Sequence, residues 1–453
     1  MEQTRDLTQG RPAGLIIRFA LPLMLGSICQ QLYTMVDTAI VGQALGVNAL
    51  ASLGAADWLN WMVLGIITGF ADGFAILVSH RFGAKDENEL RKTVAMIIVL
   101  AAGIAVILTT VAHLTAEPVL LLLNTPHNIL GGALEYLRVM FSGAPVVMTY
   151  NVMAALLRAM GNSKTPLFAM LTASVINVVL DLVFVLVFHW GIGGAAFATV
   201  LAQISSCLFC LRALRRIPAL RLKKKDWKLD GFTLSSLVRM GLPTAFQNAI
   251  ISIGGMVVQS VINGFGVTFV AGFTATNKLY GLLELAATSY GSSVSAFTGQ
   301  NLGAKKYDRI RQGIRSAVWM ALLTSLAISI LMLLFGRFIV ALFISGTPQE
   351  VEAVVEIAYQ YLCVMAVFLA VLYMLHVHRS GLMGMGDTVT PMISGIIEMI
   401  MRVGTVLLLP KLVGNSGVFY AEVTAWTGAA ILLVTMFYIR LRRLRKMEWE
   451  LNR

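Results

Sequence analysis

Long apolar runs broken by short polar interruptions dominate this sequence. Runs of the length a membrane-spanning helix needs, about 20 residues, fall at roughly 14–43, 48–78, 92–114, 137–159, 166–189 and 191–214. Six more fall at roughly 236–263, 267–298, 314–344, 353–380, 391–410 and 416–439. The pattern predicts an all-α polytopic membrane protein with twelve transmembrane helices. Its one clear linker is RRIPALRLKKKDWKLDG. The expected organisation is an N-lobe at residues 1–215 with helices 1–6, a cytoplasmic basic linker at 216–233, and a C-lobe at 234–453 with helices 7–12.

The two halves repeat. Ile17-Arg18-Phe19-Ala20-Leu21-Pro22 returns 221 residues later as Val238-Arg239-Met240-Gly241-Leu242-Pro243. Phe82-Gly83-Ala84-Lys85 returns as Leu302-Gly303-Ala304-Lys305, and Met160-Gly161-Asn162 through Thr165-Pro166 as Met385-Gly386-Asp387 through Thr390-Pro391. Each half has an even number of spans, so both enter the membrane in one orientation. They should be related by a pseudo-two-fold axis along the membrane normal, a parallel-repeat transporter architecture. A duplication within a receptor or enzyme is the competing reading. Pro166 and Pro391 suit the first turn of a helix. Pro22 and Pro243 lie inside helices, where proline removes a backbone hydrogen bond and permits a kink; Pro22 is read as a helix 1 hinge or a static bend.

Composition agrees with the pattern: 57% of residues are hydrophobic and 13% charged, with a mean hydropathy of +0.78. The formal charge of +12 invites a nucleic-acid reading until its distribution is mapped. Thirty of the 35 lysines and arginines fall on the side shared by the termini and the linker, so the positive-inside rule places both termini in the cytoplasm. The basic balance is topology, and no nucleic-acid partner is expected. The C-terminal RLRRLRK is a stop-transfer flank that also suits anionic lipid headgroups. All four cysteines, Cys29, Cys207, Cys210 and Cys363, sit in apolar runs where a disulfide framework is implausible. No nucleotide-binding loop, metal motif or nucleophile–base arrangement stands out, so an enzyme and an ATP-driven pump are both disfavoured. No cofactor is expected.

The polar residues inside the spans carry the candidate chemistry. A carboxylate at membrane depth costs at least about 2.5 kcal/mol and normally faces protein or water along an ion path. Ser174, Asn177 and Asp181 share one face of helix 5, and Gln30, Thr34 and Asp37 one face of helix 1. Two nearby acids cannot both ionise cheaply, so a proton or a sodium ion would relieve them. With the Thr199 hydroxyl of helix 6, the set Asp37, Asn177, Asp181 and Thr199 forms a candidate cation-coupling site. The second half differs: the counterparts of Asp37 and Asp181 are Val258 and Val406, and that of Asn177 is Arg402. There Glu398 and Arg402 read as an i,i+4 pair that neutralises itself, while Lys278 and Glu284 are out of phase. Gln30, Thr34, Ser174, Lys278, Glu284, Glu398 and Arg402 are candidates for a substrate cavity. No metal is expected beyond a sodium ion at the coupling site.

The opening ALPLMLGSICQQLYTMVDTAIVGQALG, the loop RFGAKDENELRK and the turn LLRAMGNSKTP together resemble the multidrug and toxic compound extrusion (MATE) family, over nearly the whole chain. MATE proteins belong to the multidrug/oligosaccharidyl-lipid/polysaccharide flippase superfamily. The resemblance implies twelve helices in two six-helix lobes and a secondary active antiporter that exchanges H⁺ or Na⁺ for organic, often cationic amphipathic, compounds by alternating access. The DinF-like branch is the nearer one: its helix 1 acid, its helix 5 Asn-x-x-x-Asp, its helix 6 hydroxyl and its bending proline fall on Asp37, Asn177 with Asp181, Thr199 and Pro22. The NorM-like second-lobe acids have no match in helices 7 and 10. The resemblance therefore implies small organic substrates, membrane lipid as surroundings, a monomer, and the plasma (inner) membrane of a prokaryote. A flippase for a lipid-linked sugar is the alternative; a membrane-embedded enzyme or receptor ranks below it.

Overall fold

The computed structural model describes residues 4–123, 125–342, 344 and 347–451. Residue 343 of the ninth expected run and the side chains of Arg445 and Lys446 in the basic tail lie outside that description. The described residues form helices α1 (Pro12–Leu45), α2 (Val47–Gly83), α3 (Glu87–Leu122), α4 (His127–Ser142), α5 (Ala144–Ala159), α6 (Lys164–Asp181) and α7 (Gly191–Leu214). After the linker come α8 (Gly231–Ile262), α9 (Val267–Gly303), α10 (Tyr307–Ala341), α11 (Pro348–Gly384), α12 (Val389–Leu408), the short α13 (Pro410–Val413) and α14 (Ala421–Leu451). Among the described residues ten helices are long and apolar enough to cross a membrane, and the bent pair α4 and α5 makes an eleventh. The remaining long helix, α9, spans 37 residues, but Lys278, Glu284 and a run of hydroxyl residues make it too polar to qualify on composition.

The fourth expected run, 137–159, is thus not one straight helix. It starts ten residues earlier, at His127, and bends by 49° at Gly143. A side chain at Gly143 would place its Cβ 2.4 Å from Val200 Cγ2 of α7, and Pro145 follows in the first turn of α5. Close packing and a helix-initiating proline therefore meet at the same corner.

The repeat read from the sequence has a backbone basis. Gly161 and Gly386 both sit at φ 83°, and Lys85 and Lys305 at φ 58° and 57°. After each of these glycines an Asx side chain caps the next helix: Asn162 Oδ1 accepts from the Thr165 N–H at 3.0 Å, and Asp387 Oδ1 from the Thr390 N–H at 3.1 Å. Glycine supplies the left-handed turn and Asn or Asp the cap, with Pro166 and Pro391 in the first turns that follow.

Two compact units make up the chain. One comprises the residues up to Leu7 together with Leu21–Ala249; the other comprises Thr8–Ala20 and Ile250 onward. The second crossing of the chain between them, after Ala20, falls two residues before Pro22 within α1. In unit 1, helices α2, α4, α5, α6 and α7 pack on one another, with polar stitches such as Ser206 Oγ donating to Ala169 O at 3.1 Å. In unit 2, α11 is the central helix, packed against α9, α10 and α14, and Thr276 Oγ1 donates to Ala358 O at 2.8 Å. Such interhelical hydrogen bonds add about 0.6–2 kcal/mol each in a membrane. The linker is held against α3: Asp226 lies 3.7 Å from Arg91 Nε, and Asp230 lies 3.0 Å from Lys92 Nζ. Asp230 is held down at about 2 by hydrogen bonds from the Thr233 hydroxyl and the Lys92 ammonium.

Candidate functional site

Unit 1 brings three of its polar helix faces together. Asn177 and Asp181 lie four residues apart on α6, the former 1% and the latter 0% exposed. Asn177 Nδ2 donates to Thr199 Oγ1 of α7 at 3.4 Å, and that hydroxyl donates back to Ala195 O at 3.2 Å. Asp37 of α1 reaches the same place and lies within electrostatic range of Asp181. Helix α1 approaches α6 at Gly26, where a Cβ would stand 3.5 Å from Leu167 Cδ1. Helices 1, 5 and 6 of the sequence reading therefore do meet.

The site is rich in acceptors and poor in donors. Both Asp181 oxygens, Asp37 Oδ1 and Asn177 Oδ1 are buried without a hydrogen-bond partner among the described residues. Gln203 Oε1, one turn beyond Thr199 on α7, is in the same condition. Buried oxygens in native proteins are normally satisfied, and a charged one without a partner costs several kcal/mol. A cluster of such oxygens can accept positive charge, either protons on the carboxyls or a cation among them. At its last residue, Asp181, α6 gives way to a π-helical turn, Leu182–Val187. Such turns recur at functional sites.

Two neighbours, Tyr33 and Tyr136, were missed by reading the sequence, and a third is the membrane-zone acid Asp57. Tyr33, Tyr136 and Asp57 all lie within electrostatic range of Asp37. Tyr33 stands four residues before Asp37, so helical spacing could have found it. Asp57 and Asp37 flank the α1–α2 turn at Gly46 by 11 and 9 residues, which puts them at similar depth. Tyr136 of α4 left no local signal. Of the cavity candidates in this unit, Gln30 and Thr34 are exposed and Ser174 is half-buried. Thr34 and Ser174 spend their hydroxyl protons on Gln30 O and Met170 O, each at 2.9 Å. Arg158 meets Asp72 at 3.0 Å.

Unit 2 corrects the pairing read from the sequence. Glu398 and Arg402 do not pair with each other. Glu398 is bonded to Arg379 of α11, and Arg402 meets Glu422 of α14 at 2.7 Å. Cross-helix partners win because side chains four apart on α12 point along the helix surface, whereas α11 and α14 present opposite charge head-on. Glu284 of α9 lies 3.2 Å from His376 Nε2. Lys278 is exposed. His378 turns to another face of α11, against Phe437 and Tyr438.

A family model described as MatE matches residues 22–183 and 243–407. Its two matches begin at Pro22 and Pro243, the offset of the internal repeat. The chain is 29% identical over 340 residues to the probable multidrug resistance protein YoeA of Bacillus subtilis (strain 168), covering 73% of each. Its fold matches a MOP superfamily transporter from Pyrococcus furiosus Vc1 (DSM3638) with a TM-score of 0.91 at 24% identity, over 97% of this chain and 98% of the other. It matches MATE in the bent conformation with a TM-score of 0.90 at 23% identity, over 99% of both. With the family model covering both halves of a helical, multi-pass membrane fold, the chain belongs to the MatE family.

Proposed function

We propose that this protein is a cation-coupled antiporter that exports organic compounds, with Asp37, Asn177, Asp181 and Thr199 receiving the coupling ion, H⁺ or Na⁺. The observation that carries the reading is the facing pair Asp37 and Asp181, of which Asp37 Oδ1 and both Asp181 oxygens are buried without a hydrogen-bond partner among the described residues. Binding of a positive ion favours the conformation in which these oxygens are satisfied, and substrate affinity changes through the same two-state equilibrium. Like the relatives named as multidrug resistance proteins, it would act on several organic compounds, often cationic and amphipathic. Pro22, beside the unit break inside α1, is the hinge in this account. The protein works as a monomer, surrounded by lipid in a prokaryotic plasma membrane, with both termini in the cytoplasm.

The test is dye efflux from proteoliposomes under an inward proton gradient and an inward sodium gradient, each imposed alone. One gradient should drive efflux in the unmodified protein. The Asp37→Asn and Asp181→Asn proteins should respond to neither. Full transport by the double replacement rejects the reading.

A further inference from the structure

The linker that joins α7 to α8 is a folded element with two unlike faces. Its inner face is fixed to unit 1. Ile217 is 3% exposed and belongs to the core of that unit, with Leu220 and Leu222 packed against the same core. Asp226 is buried, 3.7 Å from Arg91 Nε of α3, and accepts the Lys223 N–H at 2.7 Å. Asp230 meets Lys92 Nζ at 3.0 Å and accepts the Thr233 N–H at 3.1 Å. Both linker carboxylates are therefore spent on α3 and on local backbone N–H groups.

The outer face has one sign of charge. Arg215, Arg216, Arg221, Lys224, Lys225 and Lys228 are exposed, and among the described residues none of them is in an ion pair. Apolar side chains stand uncovered among and beside them: Trp227 is 45%, Leu229 68% and Phe232 75% exposed. Water alone is a poor environment for such a row. The boundary of a bilayer suits both kinds of group, with apolar tips at the acyl boundary and cations at the phosphates. Position agrees, because the linker runs from the end of one spanning helix, α7 at Leu214, to the start of another, α8 at Gly231. Its residues therefore stand close to the membrane surface.

We propose that this face is a docking surface for anionic phospholipid of the leaflet on the linker's own side. Arg221, Lys224, Lys225 and Lys228 meet the phosphates, and Trp227, Leu229 and Phe232 enter the acyl boundary. With Asp226 and Asp230 already paired inward, no free carboxylate on the linker repels a phosphate. Fixed on α3, the surface holds lipid against unit 1 rather than at the end of a loose tether. The inference uses the membrane fold alone and stands whichever ion or compound is transported.

The test places the full chain in phosphatidylcholine vesicles with a trace of spin-labelled phosphatidylglycerol or phosphatidylcholine, and reads by electron spin resonance which probe the protein retains. The unmodified protein should prefer the anionic probe, and less so at high salt. The combined Lys224→Gln, Lys225→Gln and Lys228→Gln protein should lose at least about fivefold of that preference, the amount one juxtamembrane charge carries. Lys224→Arg, Lys225→Arg and Lys228→Arg together should keep it. Lys305→Gln, Arg311→Gln and Arg315→Gln, three equally exposed cations at and after the α9–α10 turn, should leave it nearly intact. Tryptophan quenching is a separate readout: brominated phosphatidylglycerol should quench a fluorescence component that is missing in Trp227→Phe. Equal losses from the linker and the α10 replacements would reduce the effect to overall charge and overturn the proposal. An unchanged preference in the linker glutamine protein, or quenching indifferent to Trp227→Phe, overturns it too.

Discussion

Both units bury carboxylates in helices of membrane length, and they treat them in opposite ways. In unit 2, Glu398 and Glu422 each meet an arginine from a neighbouring helix. In unit 1, Asp181 is fully buried and neither of its oxygens has a hydrogen-bond partner among the described residues. A buried acid bonded to a permanent cation is part of the scaffold, because removing either member strands the other. A buried acid facing another acid is stable only with a proton or a cation bound, so its occupancy can change during a cycle. The pseudo-repeat sharpens the contrast: where unit 1 has Asn177 and Asp181, unit 2 has Arg402 and Val406. One repeat position therefore carries Asn177 in one half and the ion-paired Arg402 in the other.

The comparison is most exposed to replacement of the unpaired acids. Asp181→Asn should reduce gradient-driven efflux at least about 100-fold while the thermal midpoint in detergent stays within a few degrees, because no partner is stranded. An equal loss of stability and transport would erase the distinction between the two kinds of acid. Next comes the paired acid. Arg379→Met alone strands Glu398 and should destabilise unit 2 by about 3–5 kcal/mol, while Arg379→Met with Glu398→Leu should recover most of that. Unfolding monitored by circular dichroism separates the outcomes.

A smaller effect is expected at the corner of α4 and α5. Gly143→Val pushes into Val200 and should cost about 1–3 kcal/mol by overpacking, read from the same unfolding curves. The smallest effect concerns the linker. Asp230→Asn should speed proteolytic cleavage between Lys223 and Gly231 by a few-fold, an effect that added salt reproduces in the unmodified protein. Its folded value, about 2, lies below the unfolded value of about 3.9. The contribution of this contact is therefore complete above about pH 4 and disappears as pH falls through about 2.

Much of this was legible in the order of residues. Apolar run length placed the helices because a bilayer of fixed thickness demands it, and the Gly-Asn and Gly-Asp turns marked the repeat because only such residues make a left-handed turn followed by a cap. The face shared by Asn177 and Asp181 followed from helical spacing. What stayed hidden depends on neighbours distant in sequence. Glu398 had an arginine four residues away and took one from α11 instead, and Tyr136 joins the acids only through the packing of α4. The break between α4 and α5 at Gly143 went unread inside the run 137–159, and its close approach to Val200 belongs to tertiary structure.

The central claim is that the Asp37–Asp181 pair binds the coupling ion. Its most direct test is infrared difference spectroscopy of the purified protein, titrated with acid and, at fixed pH, with sodium. The account predicts a buried carboxyl band that responds to one of the two ions and disappears in Asp181→Asn but persists in Glu284→Gln. A titrating band that survives Asp181→Asn and Asp37→Asn unchanged would contradict it.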